Sequence, residues 1–318
     1  MMHVVAGVLV DGAGRILIAQ RPPGKHLAGM WEFPGGKLEP GETPLMALER
    51  ELDEELGIAV DPLSFEALVR IPWNYGERGM LLEAILVRAW TGEPKALDAA
   101  EIRWMDPRDV DPALLAPADR PILAATWLPS HYPITPPDVS ADEAVALLTS
   151  ALARGERMLQ LRLPGVPVEA VRAVAGRVLP ELRALGATLL LNRDIEGALA
   201  LGEGVGVHLA ASQLKTLEAR PLPLSQAVAA SCHDASELAH ASVLGCDFAT
   251  LSPVLPTASH PAAEPLGWPR FAQLAEAASL PVYALGGLGP EDGMEARLHA
   301  AQGVAGIRGF FDAEEHRR

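Results

Sequence analysis

Apolar residues recur along this chain in two rhythms, and the change falls near residue 130. Before it, short apolar runs at residues 4–10, 16–20 and 81–90 predict strands, and helical spacing predicts one strong helix at about 44–56 and another near 119–127. After it, seven short apolar segments, RMLQLRL, ATLLLN, GVGVHLA, QAVAASC, DFATLS, LPVYALGG and GVAGIRG, alternate with Ala-rich helical stretches such as PVEAVRAVAGRVLPELRALG. With YPITP as an opening strand the count is eight, the count of a (β/α)8 barrel, with a doubly wound open sheet as its competitor. The junction LPSHYPITPPD, residues 128–138, carries four prolines and suits a linker. The expected division is 1–129 and 130–318.

Composition narrows the picture. A chain of 318 residues, 49% hydrophobic and 21% charged, can bury two cores and is neither disordered nor collagen-like. The net charge is −15, split almost evenly as −8 before residue 130 and −7 after it, so no nucleic-acid polymer is expected as a partner. The same field repels a free triphosphate, which must arrive with a divalent cation or meet a locally basic pocket. Cys232 and Cys246 form no CxxC pair, which argues against a disulfide scaffold or zinc ribbon and for a cytoplasmic protein. No apolar run reaches the ~18 to 20 residues of a membrane span, and the run at 4–10, with no basic leader, reads as a strand.

The segment GKLEPGETPLMALERELDEELGI, residues 36–58, carries the most chemistry. Thr43 is placed to cap a helix and Pro44 to open it. On 100° spacing Leu45, Leu48, Leu52 and Leu56 share an apolar face, while Glu51, Glu54 and Glu55 fall within about a 100° arc beside it. Carboxylates at i and i+4 repel, and a hard divalent cation, Mg2+ or Mn2+, relieves that repulsion directly. A solvated acidic face is the plainer alternative for ELDEEL.

The flanks of that run resemble the signature of the Nudix hydrolases, through Gly36, Glu42, Arg50, Glu51, Leu52, Glu54, Glu55, Gly57 and Ile58 at fixed spacing. The resemblance implies an α/β/α sandwich with a mixed sheet, metal held by Glu51, Glu54, Glu55 and the Gly35 carbonyl, and water attack on a diphosphate. It also implies that Arg50 orders the loop. A further carboxylate, Asp98 or else Glu101, is the candidate base. The stretches AQRPPGKHLAGMWEFPGGKLEPGETP, WMDPRDV and PADRPIL look most like the MutT-type branch, which implies hydrolysis of 8-oxo-dGTP to the monophosphate and pyrophosphate, and so cleansing of the nucleotide pool. By position, Arg21 would meet the α-phosphate, His26 the nucleotide, and Glu32, Phe33, Pro34 and Gly35 the base and metal site. Asp119 stands where that branch uses an Asn to read the purine edge, and a carboxylate only accepts hydrogen bonds. The alternative for Asp119 is a helix N-cap before Pro121.

From Tyr132 onward the chain resembles the thiamine phosphate synthase and TenI-like barrels, through LQLRL, LLLNRD, GVGVHLA, ASCHDASEL, FATLSPVLPTASHP, YALGGLGPED and GVAGIRGFF. The resemblance implies a phosphate cradle at Gly286, Gly287, Arg308 and Gly309, with Gln160 and Arg162 at the same mouth and a thiazole or thiamine phosphate as ligand. Where the synthases carry aspartates for Mg2+, this chain reads Arg193 and Val205, with Asp194 one residue off, and His260 replaces a lysine. Synthase activity is therefore not expected, and His233 would serve a metal-free tautomerase. The alternative functions are a hydrolase of a thiamine-related pyrophosphate joined to such a tautomerase, and a barrel that only binds a ligand.

Overall fold

The computed structural model describes residues 2–76, 78–257 and 263–311. It divides into two compact units, Met1–Trp127 and Leu128–Arg318.

In the first unit, β1 (Met2–Leu9) runs parallel to β6 (Arg78–Val87), which pairs antiparallel with β5 (Phe65–Tyr75). A second sheet sets β2 (Ile16–Gln20) between β3 (Trp31–Glu32) and β8 (Glu101–Met105), and β4 (Ala59–Val60) pairs with β7 (Trp90–Thr91). Alternate residues of β1 and β2 enter different cores. Val5, Leu9 and Leu17 meet helix α1 (Pro44–Leu56), whereas Val8, Ile16 and Ile18 join Ile122 and Leu123 of α2 (Arg120–Trp127). The unit is thus a mixed sheet with a helix on each face, and strands covered on both faces are apolar at successive positions.

Helix α1 forms for local reasons. The Thr43 hydroxyl accepts from the Met46 N–H at 3.3 Å, Pro44 opens the first turn, and Gly57 closes the helix in a left-handed conformation at φ 68°. Its buried face is Ala47, Leu48, Leu52 and Leu56. Leu45, expected on that face, is 44% exposed, since it sits at the rim of the arc and Ala47 takes the inner place. A Cβ on Gly7 would lie 3.1 Å from Leu48, so the helix packs closely on β1 there. The run expected at 81–90 ends as a strand at Val87, and Trp90 belongs to the separate pair with β4.

The second unit is a ring of eight parallel strands: β9 (His131–Pro133), β10 (Met158–Leu161), β11 (Thr188–Asn192), β12 (Val205–Leu209), β13 (Val228–Cys232), β14 (Phe248–Leu251), β15 (Val282–Leu285) and β16 (Gly303–Gly306). Closure removes the open-sheet alternative. Helices α3 (Ala141–Ala153), α4 (Val168–Ala184), α5 (Ile195–Leu201), α6 (Ala211–Leu214), α7 (Ala235–Leu244), α8 (Gly267–Glu276) and α9 (Gly293–Leu298) fill the connections. Outward residues such as Leu161, Leu191, Val207 and Leu251 pack under the helices, while the rings of Tyr132, Phe248 and Tyr283 meet inside, edge-on or tilted, with centroids 5.2–5.8 Å apart.

Ring closure between β9 and β10 is slight. Pro133, Pro136 and Pro137 have no N–H, so donors along this stretch are few. Ile134 donates to the Gly306 carbonyl and Thr135 to that of Gln160, and one bridge, Ile134 to Gln160, joins the strands. The Thr135 hydroxyl supplies what the ladder lacks, accepting from the Arg162 N–H at 2.8 Å and donating to the Arg162 carbonyl at 3.0 Å.

Candidate functional site

In the first unit α1 sets its carboxylates against the Gly35–Gly36 turn. The Gly35 N–H donates to Glu55 at 2.8 Å, and a Cβ on Gly36 would fall 2.3 Å from the Glu51 carboxyl, so only glycine admits that side chain. Arg50 holds Glu42 through two bonds of 2.8 and 3.0 Å, Glu51 at 2.8 Å, Glu54 at 3.4 Å and the Lys37 carbonyl at 3.1 Å. It ties loop to helix and draws Glu42 down to a pKa of about 2. Burial pushes Glu55 up to about 7 against the Gly35 bond, and the nearby charges of Glu32, Glu51 and Asp98 add repulsion.

An all-oxygen, mutually repelling donor set beside a turn that excludes a Cβ fits a hard divalent cation. Glu51, Glu54 and Glu55 would hold it, with the Gly35 carbonyl. Among the described residues, however, no three acidic, His or Cys side chains converge in a metal-holding group, and Arg50 spans Glu51 and Glu54. The structure brings these carboxylates to one patch without closing a coordination shell.

The remaining candidates surround this patch. Asp98 pairs with Lys25 at 2.5 Å and lies within electrostatic range of Glu55 and Glu32. Glu101 is bound instead to Arg103 at 2.7 and 3.1 Å. Arg21 pairs with Glu32 and donates to the His26 carbonyl at 2.6 Å, while the exposed His26 ring meets Tyr75 edge-on at 5.6 Å. The Phe33 ring is buried in the core, and the Pro34 carbonyl accepts from Gly7 at 2.7 Å, so both shape the turn through the backbone. Asp119, 7% exposed, accepts from the Phe33 N–H at 3.0 Å rather than capping α2, and burial pushes it up to about 7. Lys25 and Tyr75 were not singled out in the sequence. Lys25 finds Asp98 across 73 residues, and no local pattern reveals such a pair.

In the second unit the strand ends surround a cavity of about 620 Å³. Gln160, Arg162, His233, Gly286, Gly287, Arg308 and Gly309 all line it. Gly286 and Gly287 adopt φ 105° and 70°, and a Cβ on Gly287 would lie 2.6 Å from the Pro256 carbonyl, so the pair also serves close packing of the loop after β14. Asp194 turns away, bound to Arg172 at 2.6 and 2.7 Å and to the Gly197 N–H, whereas Arg193 lines the cavity. Val205 is a buried residue at the start of β12, and His260 lies outside the described residues.

Two arrangements at this mouth were missed in the sequence. His233 Nδ1 bonds Glu237 at 2.9 Å, and Glu237 also pairs with Lys215 at 2.9 Å; although burial opposes it, these bonds hold Glu237 below the usual carboxylate range. The i, i+4 spacing of His233 and Glu237 was the available signal. His208 bridges the Tyr132 hydroxyl at 3.0 Å and the Ser231 hydroxyl at 2.9 Å. Burial, with the charge of Arg162, lowers its pKa to about 3 and keeps the ring neutral.

Comparison with known proteins follows the same division. A family described as "Thiamine monophosphate synthase" matches residues 131–310, and one described as "NUDIX domain" matches residues 5–125. An 8-oxo-dGTP diphosphatase of Proteus vulgaris is 45% identical over 92 residues, 29% of this chain and 80% of that protein. A CTP pyrophosphohydrolase of Escherichia coli is 39% identical over 130 residues, 39% of this chain and 90% of that protein. The thiamine biosynthesis bifunctional protein ThiM/ThiE of Symbiobacterium thermophilum is 34% identical over 251 residues, 74% of this chain and 49% of that protein. The chain therefore belongs to two families at once, a Nudix domain related to the 8-oxo-dGTP diphosphatases followed by a barrel of the thiamine monophosphate synthase family.

Proposed function

We propose that the Nudix domain hydrolyses an oxidised purine nucleoside triphosphate, 8-oxo-dGTP, to the nucleoside monophosphate and pyrophosphate in the presence of Mg2+, with Mn2+ as a substitute. The observation that carries this reading is the turn at Gly35–Gly36 with Glu51 and Glu55 laid against it and Arg50 locking the loop to α1. A divalent cation bound there supplies charge neutralisation on the leaving pyrophosphate. Asp98, exposed beside Glu55, is the group placed to take the proton of the attacking water once Lys25 is displaced. In this reading Arg21, paired with Glu32, turns to a phosphate, and His26, edge-on to Tyr75, meets the base together with Asp119.

A protonated Asp119 both accepts and donates, so at neutral pH it can read an oxidised guanine edge that offers a donor N–H and an acceptor oxygen. Among the described residues the barrel mouth holds one carboxylate, Glu291, and no cluster to retain a cation on a pyrophosphate, and we assign the barrel no synthase activity. The test is a substrate panel of 8-oxo-dGTP, dGTP, CTP and hydroxymethylpyrimidine pyrophosphate on the full-length protein. The kcat/KM should be highest for 8-oxo-dGTP, and Glu54→Gln should abolish pyrophosphate release. Full activity of that variant would defeat the metal assignment, and a preference for CTP or for the pyrimidine pyrophosphate would defeat the substrate.

A further inference from the structure

The first domain keeps a cation of its own beside the carboxylates of α1. Lys25 reaches Asp98 at 2.5 Å from a different loop. The bond to Asp98 raises the Lys25 pKa against the effect of burial, and the charges of Asp98, Glu55 and Glu32 all add to it, so the ammonium is fully charged at neutral pH. The other carboxylates of the patch have firmer partners. Arg50 holds Glu51 and Glu54 and is tied to the Lys37 carbonyl, and Arg21 holds Glu32 and is tied to the His26 carbonyl. Among the described residues the Lys25 ammonium has Asp98 as its one partner, and both side chains are about half exposed. An ion pair this open to water is weak and exchanges readily.

Backbone bonds fix both ends of the pair. Loop 21–30 closes on itself: the Arg21 N–H donates to the Met30 carbonyl at 2.9 Å, the Gly29 N–H to the Arg21 carbonyl at 3.0 Å and the Ala28 N–H to the Lys25 carbonyl at 3.2 Å. Leu27 in that loop is held in the left-handed region at φ 58°, where a residue with a Cβ persists only if its surroundings enforce it. The loop bearing Asp98 hangs from the end of α1. Lys95 donates to the Leu56 carbonyl and Leu97 to that of Glu55, each at 3.0 Å, and Ala100 donates to the Gln20 carbonyl at 2.9 Å. Two anchored loops therefore present Lys25 and Asp98 to each other, and the flexible part is the four-carbon stem of the lysine.

That stem has a second destination. Lys25 lies between Arg21 and His26 on one loop, and a nucleotide that meets Arg21 through its phosphate and His26 through its base passes it. A divalent cation beside Glu55 repels the ammonium from Asp98, since like charges cannot share one side of a carboxylate at low cost. Phosphate oxygens offer the displaced ammonium charge-assisted hydrogen bonds.

We propose that Lys25 is an exchangeable counter-ion of the Nudix site: its ammonium rests on Asp98 in the free protein, opposes a divalent cation there, and transfers to the phosphate chain of the bound nucleotide. The proposal rests on the metal and nucleotide reading of this domain and gives that reading a substrate-binding residue. Its two consequences have opposite signs, because removing the ammonium eases cation binding and weakens phosphate binding. A lysine that only props up its loop would shift both in one direction or neither.

The experiment measures two affinities on the full-length protein, for Mn2+ alone by the electron paramagnetic resonance of the free ion, and for inorganic pyrophosphate in saturating Mn2+ by calorimetry. Pyrophosphate serves as a phosphate chain whichever base the enzyme prefers. In Lys25→Met the Mn2+ affinity should rise at least about threefold, the scale of an exposed ion pair, and the gain should vanish in the Asp98→Asn background. Pyrophosphate binding should weaken at least about tenfold, the scale of a hydrogen bond to a charged group, and Lys25→Arg should restore most of it. Lys95→Met removes an equal charge from the Asp98 loop and should change neither affinity. The Lys25 side chain is 53% exposed, so these replacements leave the core untouched. Unchanged Mn2+ affinity in Lys25→Met, a gain that persists without Asp98 or appears equally in Lys95→Met, or undiminished pyrophosphate binding would each overturn the proposal. If Glu54→Gln binds Mn2+ as the wild type does, the metal reading itself falls and this proposal with it; if Glu54→Gln loses Mn2+ while Lys25→Met gains none, this proposal falls alone.

Discussion

Asp119→Asn isolates the cost of one buried carboxyl. Asp119 is 7% exposed, and burial raises its pKa from 3.8 to about 7. Its native form keeps a proton that the unfolded chain has already lost, so stability is greatest below pH 3.8, falls as the pH rises toward 7, and is flat above. A shift of about 3 units at about 1.36 kcal/mol per unit puts the full penalty near 4 kcal/mol. Above the isoelectric point of about 5.0, between pH 5.5 and 9, roughly 2 kcal/mol of it remains to be lost. For a unit spanning Met1–Trp127, with an unfolding entropy near 2.1 cal/mol/K per residue, that is roughly 7 °C. The Asn oxygen still accepts from Phe33, and the amide does not titrate. Thermal unfolding of wild type and variant should therefore diverge with pH, the variant gaining roughly 7 °C on the wild type between pH 5.5 and 9. A difference in Tm that stays constant across this range refutes the assignment of a raised pKa to Asp119.

Gly36→Ala puts a methyl group 2.3 Å from the Glu51 carboxyl, and displacing that group should cut pyrophosphate release at least about a hundredfold, with the circular dichroism spectrum unchanged. Retained activity would show that Glu51 is not held by the turn. Thr135→Val removes two hydrogen bonds to the Arg162 backbone and should destabilise the barrel by about 2–3 kcal/mol in urea unfolding, against no change if the hydroxyl is incidental.

Helix α1 was legible in the sequence because everything that makes it is local: Thr43, Pro44, Gly57 and the leucine spacing all lie within fifteen residues. The carboxylate patch came with it, since a helix of known period fixes the directions of Glu51, Glu54 and Glu55. The eight barrel strands were legible because each is a short apolar run closed by a turn. Strand β5 was not, because FEALVRIPWNY mixes charge and proline with its apolar residues and is only partly buried. Asp119 reaches the Phe33 N–H across 86 residues, a contact set by how the layers stack, and so its cap reading gave way to a structural tie. At the barrel mouth the residues were legible one by one, but that Arg162, Arg193 and Arg308 line one cavity is a property of the fold alone.

The slight join between β9 and β10 makes the barrel a ring with one weak link. Gln160 and Arg162 stand on one side of that link, and Gly306 and Arg308 on the other. Small openings of the ring begin where the fewest bonds must break, so amide exchange at Ile134 and Thr135, just past β9, is expected to be faster than at the strand residues of the ring. A molecule gripped from both sides acts as a brace across the gap. For any molecule so bound, ring closure and binding would be one equilibrium, each strengthening the other by the same factor.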